Sequence, residues 1–201
     1  MNEKKFFSTR NITYLAVLMA LVILFQVLSS FMKIGEASLC LVLVPIVLGG
    51  ILLGVKAGIF LGLTFSIVVL ISLLGNPLSM AIMAEHPVFF PLSTLFRGMA
   101  AGVVPALLFK LVAKKNKYVA TFVAAAAAPI VNTGIFILSM LAMSGALMNV
   151  MGDAYPESSA LYVIIVVLVS FNFFIEFALN IILSPAIFTV TKVVERRRNR
   201  G

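Results

Sequence analysis

Apolar residues run along this chain in long blocks, without the alternation of a half-buried strand or the narrow stripe of an amphipathic surface helix. The blocks fall at about 12–32, 39–55, 57–75, 89–113, 119–148 and 161–192. Each is near the roughly 17 to 25 apolar residues that carry an α-helix across a bilayer. They predict an all-α membrane protein, six transmembrane helices in one integral membrane domain over residues 1–201. Blocks two and three are separated by only a residue or two around Lys56, which predicts an antiparallel hairpin. Gly50, Gly54, Gly58 and Gly62 recur every four residues across it and predict close helix packing on either side of the turn. Pro45 lies inside block two and is expected to bend it. The connection at 76–87 opens with Asn76-Pro77, a turn signal, and reads as a loop carrying the sole histidine, His86, as a solvated residue.

Composition and charge sharpen this picture. With 62% apolar and 11% charged residues, the chain has too little polar surface to cover a water-soluble globule. The polar segments are all too short for an ATPase or metal-enzyme domain. No nucleophile elbow, His-Glu zinc pair or phosphate-cradling glycine loop is present, so no catalytic residue, metal site or cofactor is expected. The single cysteine, Cys40, has no partner for an intrachain disulfide and reads as a small apolar filler. Residues 1–10 are basic, but no small-residue cleavage pattern follows the next block, which predicts a retained first helix. The net charge of +8 raises the question of nucleic acid, yet the basic residues flank the apolar blocks and lack interleaved aromatics. They act instead as topology signals. Lys4, Lys5, Arg10, Lys56, the lysines from Lys110 to Lys117, Lys192 and the arginines from Arg196 to Arg200 fall in alternate connections, so 13 of 15 basic residues place both termini in the cytoplasm. The opposite connections carry Lys33 with Glu36, Glu85, Asp153 and Glu157, and being longer they suit an outward-facing lid.

Three sets of residues stand out against the apolar background. Arg97 lies within block four, branching off about 12 Å below one membrane face at roughly 1.5 Å per residue. A cation near a helix centre costs about 2.5 to 3.5 kcal/mol on insertion scales, so it faces a protein interior or a water-filled cavity. It is expected to be half of an internal ion pair or the hook for an anionic ligand. Asn132-Thr133-Gly134 in block five offers an amide, a hydroxyl and space, either for a solute or for interhelical hydrogen bonds. Asn172, Glu176, Asn180 and Ser184 recur every four residues along one face of block six. Glu176 and Arg97 approach from the same side and could pair as a structural salt bridge, or share a polar pocket with a solute. Ala16 and Ala20 share one face of the first helix, where small residues let another helix approach closely.

The Ala16-Val-Leu-Met-Ala20 pattern, the hairpin from Pro45 through Gly54 and Lys56 to Gly58, and the six-helix topology together resemble the substrate-binding S components of energy-coupling factor (ECF) vitamin transporters, over nearly the whole chain. The resemblance implies a high-affinity vitamin-capture subunit of the cell membrane. It implies that Ala16 and Ala20 dock on a membrane coupling subunit attached to two cytosolic ATPases. Those partners use the ATP, and the S component topples in the bilayer to deliver its vitamin. It further implies a pocket toward the outer side, closed by the first and third outer loops. Within that family, Arg97 with Asn132-Thr133 most resembles the pantothenate-specific members. The chemistry agrees, since pantothenate offers a carboxylate for a guanidinium fork and an amide and two hydroxyls for Asn132, Thr133, Asn172 and Glu176. The absence of tryptophan and the presence of only four tyrosines weigh against riboflavin or folate, although 17 phenylalanines could stack on a flat ring. Biotin, also a carboxylate, is the closest rival. A self-sufficient carrier exchanging protons through Glu176 is a different class, and the lack of an internal repeat between residues 1–100 and 101–201 weighs against it. A purely structural assembly subunit would bind no small ligand.

Overall fold

The computed structural model describes residues 8–31, 33–34, 37–38 and 41–199. The chain is a helical bundle: α1 (Thr9–Phe31), α2 (Leu43–Leu53), α3 (Val55–Leu73), α4 (Pro77–Glu85), α5 (Phe89–Val112), α6 (Lys117–Ala142), α7 (Ser144–Met151), α8 (Ala160–Tyr162) and α9 (Ser170–Asn199), the last two joined by a π-helical segment, Val163–Val169. Between α1 and α2, β1 (Lys33–Ile34) and β2 (Ala37–Ser38) form a two-residue antiparallel pair with Lys33 opposite Ser38. Among the described residues, five helical stretches are long and apolar enough to cross a membrane, and α2 is a shorter apolar sixth. The sequence expectation for Cys40 and Glu36, and for the basic residues at 4, 5 and 200, lies outside the described residues.

Residue size is distributed in a way that suits lipid as solvent. Large side chains such as Phe96, Leu138 and Ile182 are exposed, whereas α6 buries Ala120, Ala124, Ala125, Ala127 and Ala128. With lipid outside, apolar burial gives helices little reason to associate, and small residues that bring backbones into contact supply packing energy instead. The closest such contact joins α3 to α5. A Cβ added at Gly58 would run into the Gly102 carbonyl, and one at Gly62 into that of Gly98. The reverse holds as well, since Gly98 and Gly102 face the Gly62 and Gly58 carbonyls. Ser66 Oγ donates to the Thr94 carbonyl at 2.9 Å across the same seam.

Several boundaries differ from the hydropathy blocks for local reasons. Block two yields only the 11-residue α2, about 16 Å long. Pro45 therefore sits in its first turn, where a missing N–H leaves no gap in the ladder, and it does not bend the helix. The α2–α3 turn is at Gly54 rather than around Lys56. Gly54 has φ 90°, its N–H bonds the Gly50 carbonyl at 3.0 Å, and its own carbonyl accepts from Gly58 at 3.2 Å. One residue thus ends α2 and starts α3, and a left-handed φ of this kind favours glycine. The connection expected as a loop at 76–87 contains α4, capped by Asn76 Oδ1 accepting from Ser79 N at 3.1 Å, with Pro77 at the first helical position. Block five breaks at Met143 into α6 and α7. Block six continues as helix through Lys192 and Arg197 instead of ending before the basic tail.

Alanine at Gly102 should lower the midpoint of thermal unfolding in detergent by an amount equivalent to about 1 to 3 kcal/mol. Gly145→Ala, where an added Cβ meets nothing within 4 Å, serves as the comparison. Equal melting of the two variants would show that the α3–α5 seam is not close-packed.

Candidate functional site

A cavity of about 260 Å³ lies between the Asn76-capped end of α3–α4 and the facing halves of α5, α6 and α9. Helical spacing explains which side chains reach it. Phe90, Ser93, Thr94 and Arg97 on α5 stand at i, i+3, i+4 and i+7, and Asn132, Thr133, Phe136, Ser139 and Met140 on α6 at i, i+1, i+4, i+7 and i+8, so each set shares one helix face. Leu168 and Val169 from the π-helical segment and Asn172 and Phe173 from α9 close a further side. The Gly98 seam fixes the rotation of α5. With Gly98 against α3, Arg97, about 100° around the helix, is turned to the cavity that α6 also lines.

The wall has a definite hydrogen-bonding polarity. The Ser93 hydroxyl donates to Phe90 O at 2.8 Å, Thr94 to Phe90 O at 3.0 Å and Ser139 to Ile135 O at 2.8 Å. Each has used its proton within its own helix, so what it can still offer is a lone pair. Asn132 is 7% exposed, and its Oδ1, like that of Asn172, is buried with no hydrogen-bond partner among the described residues. A buried amide oxygen in that state costs about 1 to 3 kcal/mol and is relieved by a donor. Against these acceptors stands one cation, Arg97, whose guanidinium carbon lies 5.2 Å from the centroid of the Phe136 ring. The site therefore combines one positive group for an anion with several acceptors for neutral N–H or O–H donors.

Of the residues singled out from sequence, Arg97, Asn132, Thr133 and Asn172 are brought together on this wall. Glu176 is not among the lining side chains; it is 4% exposed, one turn further along α9. Arg97 and Glu176 each take part in interactions within the chain. Asn180, fully buried, donates from Nδ2 to the Glu176 carbonyl at 2.9 Å. Ser184 bonds Ile181 O at 2.8 Å. That carbonyl loses its usual helical donor because Pro185 has no N–H, so Ser184 repairs the ladder rather than extending the site. Ala16 and Ala20 lie far from the cavity in sequence, on the exposed face of α1 opposite buried Leu18 and Val22.

Two features escape the sequence reading. Phe136 stands four residues after Asn132, so its place on the wall was available from spacing, but a phenylalanine among 17 carries no signal by itself. The short helices α4 and α7 also look like ordinary loop and helix end. They pack together through Ile82, Met143, Ala146 and Leu147, and Asn149 Nδ2 donates to Glu85 Oε1 at 3.1 Å. Asn76, Leu78, Ser79 and Ile82 put α4 directly on the cavity. Among the described residues, then, the lining side chains on this side come from the connection at 76–87, and none comes from residues 141–167. The first outer connection has no described side chains.

A family model, ECF transporter, substrate-specific component, matches residues 10–188. No curated protein matches the chain.

Ile82 is 2% exposed and touches both the cavity and the α7 cluster. Ile82→Ala should destabilise the α4–α7 cover by about 2 to 4 kcal/mol. Hydrogen exchange should quicken across residues 77–85 while the centres of α5 and α6 stay protected; unchanged exchange in α4 would contradict its role as a packed cover.

Proposed function

Because this chain belongs to the substrate-specific component family of ECF transporters, and is thus the multi-pass membrane subunit that binds the substrate rather than an enzyme, we propose that its cavity captures a small anionic vitamin, pantothenate. One observation carries the reading: Arg97 and the amide oxygens of Asn132 and Asn172, which have no hydrogen-bond partner among the described residues, converge on one cavity. A carboxylate matches the guanidinium fork, and an amide N–H and two hydroxyls match the acceptors. The volume of about 260 Å³ lies just below the roughly 300 to 1,000 Å³ common for small-molecule sites, which suits a slender acid better than a fused-ring vitamin.

In this assignment Arg97, Asn132, Thr133 and Asn172 contact the vitamin, and Glu176 supports the floor one turn below. The basic connections face the cytoplasm, and the α4–α7 cover faces outward. Lys117 Nζ lies 2.7 Å from Glu195 Oε2, which is consistent with the α5–α6 turn and the end of α9 lying at one face of the membrane. Ala16 and Ala20 dock on a membrane coupling subunit, and two cytosolic ATPases attached to it supply the energy. Their exposure on a face of α1 that no described residue buries supports that role.

Calorimetry of the detergent-purified chain against pantothenate, biotin, riboflavin and folate tests the vitamin. Arg97→Ala should weaken pantothenate binding by about 2 to 5 kcal/mol, the range for removing one partner of a buried charge pair; unchanged affinity would end the assignment of Arg97 as the carboxylate partner. Replacing Ala16 and Ala20 together by tryptophan should leave binding intact and abolish ATP-dependent uptake in the reconstituted complex. Uptake by the variant at the normal rate, or uptake by the native chain without partners or ATP, would overturn the docking assignment.

A further inference from the structure

We propose that the turn between α5 and α6 and the end of α9 form one binding site for the headgroup of an anionic phospholipid, whose acyl chains lie along exposed apolar side chains one turn deeper in the bundle. The site is separate from the vitamin cavity and does not depend on how that cavity is read. Its two halves are far apart in the chain. Lys117 Nζ bonds Glu195 Oε2 at 2.7 Å, and the Tyr118 ring meets the Phe188 ring edge-on, with centroids 5.3 Å apart and planes at 87°. These contacts bring Lys110, Lys114 and Lys115 to the same end of the bundle as Lys192, Arg196 and Arg197, and all of them are exposed.

Charge at this end is one-sided. Within residues 107–118 and 188–197 the only carboxylate is that of Glu195, and Lys117 holds it. Like charges gathered in this way repel, and a negative group arriving from outside relieves the repulsion. A topology signal requires only that cations lie in the right connections. Here two connections are pinned into one patch, and the patch has an apolar border. Leu107 and Leu111 precede Lys114 and Lys115 along α5, and Val190 and Val193 precede Arg196 and Arg197 along α9; all four apolar side chains are exposed. Spacings of three, four and seven put each cation on the same helix face as an exposed apolar neighbour. An acidic protein docking from water would leave those leucines and valines uncovered, whereas a phospholipid presents a charged head and then hydrocarbon, in the order the patch presents its partners. Tyr118, half exposed beside them, has an amphipathic ring suited to that depth.

Native mass spectrometry of the full-length chain, released from detergent with phosphatidylglycerol or with phosphatidylcholine of the same acyl chains, reads the preference. Phosphatidylglycerol should be retained in about 5-fold excess or more. Lys114→Gln, Lys115→Gln, Arg196→Gln and Arg197→Gln together should reduce the preference to within about 2-fold. Lys4→Gln, Lys5→Gln, Arg10→Gln and Lys56→Gln together, which remove as many cations from other connections, should leave at least about half of it. Equal loss in the two variants, or no preference in the unmodified chain, would overturn the site. Displacement of the lipid by inorganic phosphate at equal concentration would also overturn it, since it would show an anion site that takes no lipid. If the first variant does not fold, Arg196→Gln with Arg197→Gln should by themselves cut the preference by about half or more, and a full preference in that variant would overturn the proposal.

Discussion

The backbone contact between α3 and α5 governs the rest of this molecule. Gly58 and Gly62 meet Gly102 and Gly98 with no side chain between them, and a helix held that closely cannot roll. Arg97 is the next residue to Gly98, so the contact that removes space on one side of α5 also decides where the cation points. A guanidinium on a freely rotating spanning helix would turn toward headgroups or water. Here it is turned toward α6, where Phe136 and Asn132 stand. In a solvent as apolar as the side chains themselves, such van der Waals contact is the force available to fix a helix rotation.

From that rotation the chemistry of the cavity follows. The hydroxyls of Ser93, Thr94 and Ser139 give their protons to their own helices, and the buried amide oxygens of Asn132 and Asn172 have no donor among the described residues. A site made this way discriminates by mismatch as much as by attraction. A ligand without donors leaves the buried oxygens of Asn132 and Asn172 desolvated.

The cover belongs to the same logic. Each of the short helices α4 and α7 is too small to span a membrane, and each buries its apolar residues mainly against the other. Asn76, Leu78, Ser79 and Ile82 line the cavity, so the element that closes the site also lines it. Among the described residues the cover is held by an apolar cluster that also takes in Phe90, Val163 and Ile164, and by the Asn149–Glu85 hydrogen bond. Regions of low local stability are where binding-site covers are found in general.

Hydropathy and charge alone determined that this is a helical membrane protein and roughly where its helices lie, and they singled out Arg97, Asn132, Thr133, Asn172 and Glu176 as polar residues inside apolar blocks. Those are properties of single residues and their near neighbours, because transfer from water to hydrocarbon is additive along the chain. The glycine row at 50–62 was likewise legible as a packing face, but its partner, Gly98 and Gly102, was not. Nor was the placing of Glu176 off the cavity wall, the breaking of block five at Met143, the folding of the 76–87 connection into α4, or the approach of Phe136 to Arg97. Each of these depends on how one helix is rotated against another, a contact between residues distant in sequence. Period and composition say which faces a helix has, and only packing decides which of them meet.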